Sequence, residues 1–156
     1  MEVKFLERGY VEFKGANLIF KNFSGRGDKF NREGDRKFAI RIHDPETADA
    51  LIEAGWNVKI KSPREEGEDA FMNLPVKLKF NSRGPSIYLE SGSRVNQLDE
   101  ETVGCLDQID ILTVDLVIRP YDWETPAGLS GRTAYLQSMA VVQELDHYAE
   151  RYADRL

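Results

Sequence analysis

The 156-residue sequence has only one cysteine, Cys105, and two histidines, His43 and His147. A single cysteine cannot form an internal disulfide, and two distant histidines do not have the spacing of a metal site. The sequence also has no apolar run near the roughly 18 residues that a transmembrane helix needs. The first ten residues carry charges where a signal peptide requires an apolar stretch. We therefore expect neither a membrane protein nor a secreted one, and we predict a protein of the reducing cytoplasm.

An excess of basic charge is also missing, because 21 basic side chains are outnumbered by 27 acidic ones, for a net charge of −6. A protein that coats nucleic acid with its whole surface is therefore not expected. The charge is nevertheless segregated. Residues 21–43 and 71–98 are basic, whereas residues 44–70 and 99–124 are acidic. Two basic segments in one sheet would form one positive face, and a well-mixed solvated surface is the alternative that charge alone leaves open.

Short stretches with alternating apolar residues, bounded by turn residues, dominate the chain and predict strands. The predicted strands are 15–23, 37–42, 56–60, 76–80, 87–89, 111–118 and 133–142. Asp44 and Pro45 predict the start of a short helix over 45–54, and a second short helix is predicted over 99–108. Many short strands without alternating helices favour a mainly β fold, and we predict an antiparallel β-barrel.

Two segments of the chain stand apart from this pattern. Residues 24–35 contain three glycines and hardly any apolar side chain except Phe30, so they predict a long exposed hairpin loop. The apolar residues of segment 144–156 recur at helical spacing, which predicts an amphipathic C-terminal helix that packs on the barrel or on another subunit. The chain is thus expected to consist of one domain, residues 1–143, followed by this helix or tail.

Groups suited to catalysis are sparse in the sequence. We interpret His43 as structural or exposed and Cys105 as a buried structural thiol. Asp107, Asp110 and Asp115 have a spacing that could serve a metal-dependent nuclease, but the same positions suit the polar face of a strand. No glycine pattern has the spacing of a phosphate-binding loop. We expect no enzymatic activity, no cofactor and no metal, and we rank the nuclease lowest among the alternatives.

Aromatic and basic side chains are interleaved over residues 20–38 and again over 119–123. A single strand of nucleic acid exposes base faces and phosphates together, so rings beside cations suit such a ligand. Phe20, Phe38 and Trp56 are interpreted as core residues. The predicted base-stacking residues are Phe23, Phe30, Tyr121 and Trp123. The predicted phosphate-binding residues are Lys21, Arg26, Lys29, Arg32, Arg36, Lys37, Lys77, Lys79 and Arg119.

Several stretches of the sequence resemble bacteriophage single-stranded-DNA-binding proteins with an OB fold. They are 18–25, 29–38, 44–46, 55–59, 114–123 and 134–136, and together they cover about residues 17–142. The run from Phe30 to Arg36, Phe-Asn-Arg-Glu-Gly-Asp-Arg, is the most specific of them. The resemblance implies a five-stranded barrel that binds displaced single strands during phage replication or recombination, without sequence preference and without catalysis.

The leading hypothesis is therefore a non-enzymatic single-stranded-DNA-binding protein in the cytoplasm of a bacterial host. The alternative is a protein-interaction module that holds a phage or host replication or recombination protein through segment 99–124 or the C-terminal helix. Many single-strand binders recruit such proteins through a disordered acidic tail. Segment 144–156 instead combines four acidic residues with two arginines and predicts a helix, so docking onto another copy of the chain is an equal alternative.

Overall fold

The computed structural model describes residues 1–63 and 65–145. In this part of the chain the protein is mainly β, as predicted, with one α-helix and two short 3₁₀ turns. The strands are β1 Glu2–Phe5, β2 Val11–Lys14, β3 Asn17–Asn22, β4 Arg36–Ile42, β5 Lys59–Lys61, β6 Phe71–Leu78, β7 Ser86–Ser91, β8 Arg94–Leu98, β9 Ile111–Glu124 and β10 Ser130–Gln143. The helix α1 is Pro45–Glu53, and the 3₁₀ turns are Glu7–Gly9 and Val103–Asp107. No helix among these residues is long and apolar enough to cross a membrane.

All the described strands belong to one sheet, whose main path runs β1-β2-β9-β10-β6-β4-β3. β5 pairs with β6, and the β7-β8 hairpin joins the sheet through β10. Most neighbours are antiparallel, but β10 runs parallel to both β6 and β7. The described sheet thus differs from the predicted five-stranded antiparallel arrangement in strand number and in these two parallel pairings. The predicted C-terminal helix falls mainly on residues 146–156, which lie outside the described residues.

A bend between β2 and β3 accounts for part of the larger strand number. Gly15 has a φ of +68°, a left-handed conformation that glycine adopts at little cost. The next residue, Ala16, donates its backbone N–H to the carbonyl oxygen of Val114 on β9 at 2.8 Å. The chain therefore leaves one side of the sheet in β2 and continues on the other side in β3, although the predicted strand 15–23 anticipated only β3.

Helix α1 agrees with its prediction to within one residue, since its end signals are local. The Asp44 side chain accepts hydrogen bonds from the Glu46 N–H and the Thr47 hydroxyl, and Pro45 occupies the first turn. Gly55 follows the helix with a φ of +95°. The strand predicted over 56–60 is in contrast only Lys59–Lys61. Trp56 is buried as expected, but Ile60 is 54% exposed.

The predicted helix over 99–108 is reduced to the 3₁₀ turn Val103–Asp107. The Asp99 carboxylate accepts hydrogen bonds from the backbone N–H groups of Glu101 and Thr102 and from the Thr102 hydroxyl. Such local side-chain bonds favour a turn over an α-helix. Strand β9 is longer than predicted, because Pro120 does not end it. β2 reaches only to Ile118, so the missing N–H of Pro120 interrupts no second ladder.

The core lies beneath the sheet and contains the inward-facing residues of nearly every strand. Its largest fully buried side chains include Phe13, Phe23, Phe38, Leu74 and Ile118. Burying one such side chain stabilises the fold by about 1.5–3 kcal/mol. Because side chains alternate across a strand, the same strands present their other residues on an outer face. That outer face carries the candidate site.

Candidate nucleic-acid interface

A row of polar and aromatic residues crosses the outer face of the sheet at one level. The pairing register places Lys37 of β4 opposite Lys77 of β6, Lys77 opposite Tyr135 of β10, and Tyr135 opposite Arg119 of β9. Asn22 of β3 is the register partner of Lys37 and extends the row. Neighbouring strands lie about 4.8 Å apart, so the row from Lys37 to Arg119 spans about 14 Å. We call these five residues the cross-strand row.

A groove of about 540 Å³ opens over the middle of this row. We call it the central groove, and its walls include Phe30, Arg32, Arg36, Lys37, Lys77, Lys79, Phe80 and Tyr135. Six of these eight residues were predicted from the sequence to contact nucleic acid. The sequence analysis missed Tyr135 of β10 and Phe80, which follows β6, because the neighbours of these two rings across the sheet could not be known.

A second cavity of about 470 Å³ continues from the central groove on the side of the loop 24–35. We call it the loop groove. Its walls include Phe20, Lys21, Asn22, Arg26, Phe30 and Lys37. Phe30 and Lys37 line both cavities, so the two form one continuous surface. Lys29 is exposed on the same loop but lines neither groove.

Rings and guanidinium groups pair at the β9 end of the row. The guanidinium carbon of Arg119 lies 5.1 Å from the centroid of the Tyr135 ring, a cation–π arrangement. The Tyr121 ring meets Tyr135 edge to face, with centroids 5.9 Å apart. Tyr121 is 55% exposed and can therefore offer a face to a base. The predicted roles of Arg119 and Tyr121 are compatible with this geometry.

Trp123 lies two residues beyond Tyr121 on the same face of β9. Its cross-strand partner is Gly131, and a Cβ atom at that position would lie only 2.5 Å from the indole ring. The glycine therefore lets the indole lie close against the neighbouring strand. The indole N–H donates to the Thr133 hydroxyl at 3.2 Å, and the residue remains 40% exposed. Trp123 is thus held on one side and open on the other.

The prediction that Phe23 stacks on bases is corrected by the structure. Its ring is fully buried and stacks on Phe38 in the core, with centroids 5.3 Å apart. The carboxylate of Asp107 accepts the backbone N–H groups of Phe23 and Ser24, at 2.8 and 2.9 Å, and the Ser24 hydroxyl also bonds to it. These bonds fix the start of the loop so that Phe23 points inward. Phe30, in contrast, is 89% exposed.

The assignment of Phe20 to the core is wrong as well. Phe20 is 67% exposed, and its ring meets Phe71 edge to face at 6.1 Å. A register shift in the β3-β4 pairing falls between Ile19 and Asn22. This irregularity interrupts the regular alternation of inward and outward side chains along β3. The expectations that Phe38 and Trp56 belong to the core are confirmed.

The loop 24–35 is ordered by a side chain that the sequence did not single out. Asn31 is buried, and its amide donates to the backbone carbonyls of Arg26, Arg32 and Asp35 at 2.8–3.1 Å. The Gly34 N–H also donates to the Gly25 carbonyl at 2.7 Å, which closes the neck of the loop. This internal network holds Phe30 and Arg32 at the edge of the central groove without any ligand.

Not all the predicted cations are equally free to meet phosphate. One Arg36 nitrogen lies 3.4 Å from a Glu100 carboxylate oxygen, and another donates to the Glu100 carbonyl at 3.2 Å. The Lys21 ammonium donates to the Leu106 carbonyl at 3.3 Å. Lys77 and Lys79 are exposed, and neither forms an ion pair within the described residues. Lys37 is half-buried and lines both grooves.

The three aspartates considered for a nuclease have separate places in the fold. Asp107 anchors the loop, and Asp115 accepts the Gly15 N–H at 2.9 Å. Among the residues that the structure describes, no three histidine, cysteine or carboxylate side chains are grouped to hold a metal ion. Burial raises the pKa of Asp107, but hydrogen bonds from Ser24 and Phe23 outweigh it, so the pKa lies below its usual value. That direction fits an ionised structural anchor.

Comparison with solved structures finds similar folds among phage proteins. The single-stranded DNA-binding protein from bacteriophage Enc34 is 13% identical, with a TM-score of 0.58 over 91% of this chain and 85% of that one. Its C-terminal truncation gives a TM-score of 0.55 at 15% identity over 91% and 90% of the two chains. The same protein in complex with ssDNA gives 0.52 at 16% identity over 92% of both chains. At these identities the likeness concerns the fold alone.

No curated protein matches the sequence. A family model, in contrast, matches residues 2–155, which is nearly the whole chain, and its description is "Putative phage ssDNA-binding domain". The basic and aromatic outer face, the fold and this match agree with one another, and the chain belongs to the family of phage single-stranded-DNA-binding domains.

Proposed function

We propose that this protein covers single-stranded DNA during phage DNA replication or recombination, in the cytoplasm of the bacterial host. It binds without sequence preference and without catalysing a reaction. The observation that carries the proposal is the cross-strand row, in which two lysines, a tyrosine and an arginine from four neighbouring strands share one face. Lysines suit phosphates and exposed rings suit bases, and a single strand offers both along its length.

The single-stranded DNA would cross the sheet along the cross-strand row. Phosphates meet Lys37, Lys77 and Arg119, while Arg26, Arg32 and Lys79 contribute from the walls of the grooves. Bases stack on Phe30, on Tyr121 and on the open face of Trp123. Each stacked base contributes roughly 1–3 kcal/mol, so three platforms and a few phosphate contacts account for micromolar or tighter binding.

Duplex DNA is a poorer ligand for this surface, because its base faces are stacked inside the helix. The rings on the outer face would then have no partner, and only the phosphate contacts would remain. We therefore expect a preference for the single strand that decreases when the exposed rings are removed. The preference should not depend on base sequence, because every base has a π-face.

The direct test is fluorescence anisotropy with a labelled oligo-dT of about 30 nucleotides, a matched duplex and an RNA, at several salt concentrations. Tight binding to the single strand that weakens with salt is expected, with a log–log slope of about −0.7 for each phosphate contact. Lys37→Gln and Lys77→Gln should each reduce the slope by about 0.7. Lys14→Gln, on β2 and outside the row, is the matched control and should leave the slope unchanged. Absence of binding to the single strand at low salt would overturn the proposal.

The fold supports a finer architectural proposal. If β2 and β3 are one strand bent at Gly15, then β2/β3, β4, β6, β10 and β9 follow one another around a closed path. The Ala16–Val114 hydrogen bond joins its two ends. This path is a five-stranded OB-like barrel, to which β1, β5 and the β7-β8 hairpin are additions.

We further propose that residues 1–143 form the DNA-binding domain and that residues 144–156 are a separate tail. A chain that ends after residue 145 should then keep its affinity for oligo-dT. If the tail instead holds a replication or recombination protein or a second copy of the chain, pull-down or analytical ultracentrifugation should show that interaction lost from the shortened chain. A loss of DNA binding in the shortened chain would contradict the domain boundary.

A further inference from the structure

A second group of exposed rings lies beyond the cross-strand row, around Phe20 at the β5 side of the sheet. Phe20 and Phe71 meet edge to face with centroids 6.1 Å apart. The guanidinium carbon of Arg41 lies 5.2 Å from the centroid of the Phe71 ring. This arrangement of two rings and one cation resembles the group formed by Tyr121, Tyr135 and Arg119 at the other end of the row.

The backbone of Phe20 is strained in a way that its burial does not explain. Its φ is +53°, in the left-handed region that residues other than glycine seldom adopt. Strain of this kind persists where the surrounding structure enforces it, and it concentrates at functional sites. A ring that is 67% exposed gains little from the core in return. The strained backbone holds an aromatic face out toward solvent.

Beside Phe20 is a cleft of about 490 Å³. Its floor and walls are mainly apolar and include Ile60, Pro63 and Phe71, while Lys59 and Lys61 lie along its edge. We call it the Phe20 cleft. Apolar walls with a few polar groups are typical of sites that take a flat organic ring. The acidic residues Glu68 and Asp69 also line the cleft, so a phosphate would lie beside the lysines and away from these carboxylates.

A side-chain amide also lines this cleft. Asn73 is only 7% exposed and lines the cleft, and its register partners are Arg41 and Lys59. Its side-chain amide makes no hydrogen bond to any residue in the described ranges 1–63 and 65–145. The amide can both donate and accept, which matches the edge of any unpaired nucleobase.

The Phe20 cleft is continuous with the surface already described. Phe20 lines both the cleft and the loop groove, and the loop groove shares Phe30 and Lys37 with the central groove. A single strand of DNA that follows the cross-strand row toward β3 therefore reaches Phe20 next. This continuity identifies the occupant as part of the same polynucleotide.

We propose that the Phe20 cleft is a base-binding subsite that takes one unstacked nucleobase from the bound strand. The base stacks on Phe20, its edge bonds to the Asn73 amide, and Lys59 and Lys61 meet the flanking phosphates. This inference rests on the proposed function, because the same strand must occupy the central groove. The subsite extends the DNA-binding surface beyond the cross-strand row.

Phe20→Ala is the first test, measured by anisotropy with oligo-dT of increasing length. Oligonucleotides long enough to reach the cleft should bind about 5- to 100-fold more weakly to the variant, the loss of one stacked base. Those that fill only the central groove should bind as before. Phe20→Tyr should retain the affinity, since it keeps a ring. Phe5→Ala, which removes an exposed ring from β1, is the control and should have no effect.

A second variant separates a binding role from a structural one. Phe20→Gly removes both the ring and the strain at φ +53°, so its melting temperature should not fall below that of Phe20→Ala. Its affinity for long oligonucleotides should nevertheless fall as far as that of Phe20→Ala. If Phe20→Ala and Phe20→Gly both melt well below the wild type yet bind long oligonucleotides as tightly as it does, the ring serves the fold, and the proposal is overturned.

The position of the base can be found with 2-aminopurine, whose fluorescence is quenched by stacking, placed in turn at each position of the oligonucleotide. One position should lose its quenching in Phe20→Ala and in Asn73→Leu. An oligonucleotide without a base at that position should bind wild type and Phe20→Ala equally well. If Lys37→Gln and Lys77→Gln weaken binding while Phe20→Ala does not, the cleft proposal fails and the proposed function stands. If the wild type binds no single strand, both fail.

Discussion

Two projecting segments flank the cross-strand row, the loop 24–35 and the tip of the β9-β10 hairpin, and they are held in different ways. A few side chains that bond to backbone groups hold the loop, chiefly Asn31 within it and Asp107 at its start. The hairpin is held by a continuous antiparallel ladder from Ser130 to Leu136. The Arg132–Asp122 ion pair and a bond from Arg132 to the Ala54 carbonyl add to it.

This difference indicates how each segment presents its ring. The loop depends on single polar side chains, so one substitution should loosen it and release Phe30. The hairpin depends on regular pairing, so its rings should keep their positions when a side-chain contact is lost. The following predictions, from the largest expected effect to the smallest, test that contrast.

Asn31→Leu should have the largest effect on stability. It removes the amide that donates to three loop carbonyls. Those of Arg26 and Arg32 keep a second donor, from the Asn22 side chain and the Asp35 N–H, but that of Asp35 loses the Asn31 donor. We expect a loss of about 1–3 kcal/mol in the free energy of unfolding. Urea unfolding measures this loss. Asn81→Ala is the matched control. The exposed side chain of Asn81 accepts a single backbone hydrogen bond, from the Arg83 N–H, in a turn outside the grooves. An equal loss in both variants would contradict the central role of Asn31.

Phe30→Ala and Trp123→Ala should each lower the affinity for oligo-dT by about 1–3 kcal/mol, the contribution of one stacked base. The slope of affinity against salt should stay the same, because neither ring carries charge. Tyr88→Ala, which removes a ring on β7 that is 43% exposed, is the control for a nonspecific effect.

The contrast between the two segments appears in a combined variant. Asn31→Leu should mask the effect of Phe30→Ala, since a loosened loop no longer places the ring, but it should leave the effect of Trp123→Ala intact. A double-mutant cycle measured by anisotropy gives both coupling terms. Coupling between Asn31 and Trp123 as strong as that between Asn31 and Phe30 would show that the two segments are not independent.

Acid should act on the loop through Asp107. Its pKa in the fold is lowered from the usual 3.8, so its contribution to stability is complete above that value and is lost as the pH falls through the lower folded pKa. The protection factors of the Phe23 and Ser24 amides, which correct for the intrinsic pH dependence of hydrogen exchange, should therefore fall below about pH 4.

Asp107→Asn supplies the control for the acid prediction. It should be less stable than wild type at neutral pH and should lose less stability on acidification, because the group that titrates is gone. Identical acid profiles for the two proteins would contradict the assignment of Asp107 as the anchor.

Asp122→Asn should have the smallest effect. The Arg132 side chain lowers the pKa of Asp122 by a hydrogen bond, but the carboxylate is well exposed. An exposed ion pair contributes less than about 1 kcal/mol, and we expect a change in melting temperature near the limit of detection. Affinity for oligo-dT should not change. A large loss of melting temperature or of affinity for oligo-dT would show that the ion pair, and not the strand pairing, positions the hairpin.

Much of this protein could be predicted from local patterns. The mainly β fold, helix α1 with its Asp44 cap and the exposed loop 24–35 follow from signals within a few residues of each other. The outward placement of Lys77 in β6, and of Lys79 just after it, also follows, since they alternate with the buried Val76 and Leu78. These predictions succeed because alternation and capping are properties of the chain itself.

The aromatic residues show what local sequence patterns do not predict. Phe23 and Phe30 lie in similar surroundings in the sequence, yet one is fully buried and the other is 89% exposed. Asp107, more than 80 residues away, turns Phe23 inward by binding its backbone. Phe20 was expected in the core, but it is exposed where the pairing of β3 with β4 shifts register.

By itself the sequence determined that the chain is mainly β, where the helix begins, and that basic and aromatic side chains share a segment. Only the tertiary structure decided which of them share a surface. The register of β4, β6, β10 and β9 brings Lys37, Lys77, Tyr135 and Arg119 into one row, although they are separated by up to 98 positions. Pairing between distant strands depends on the whole sheet, and so does the position of each ring and charge on its outer face.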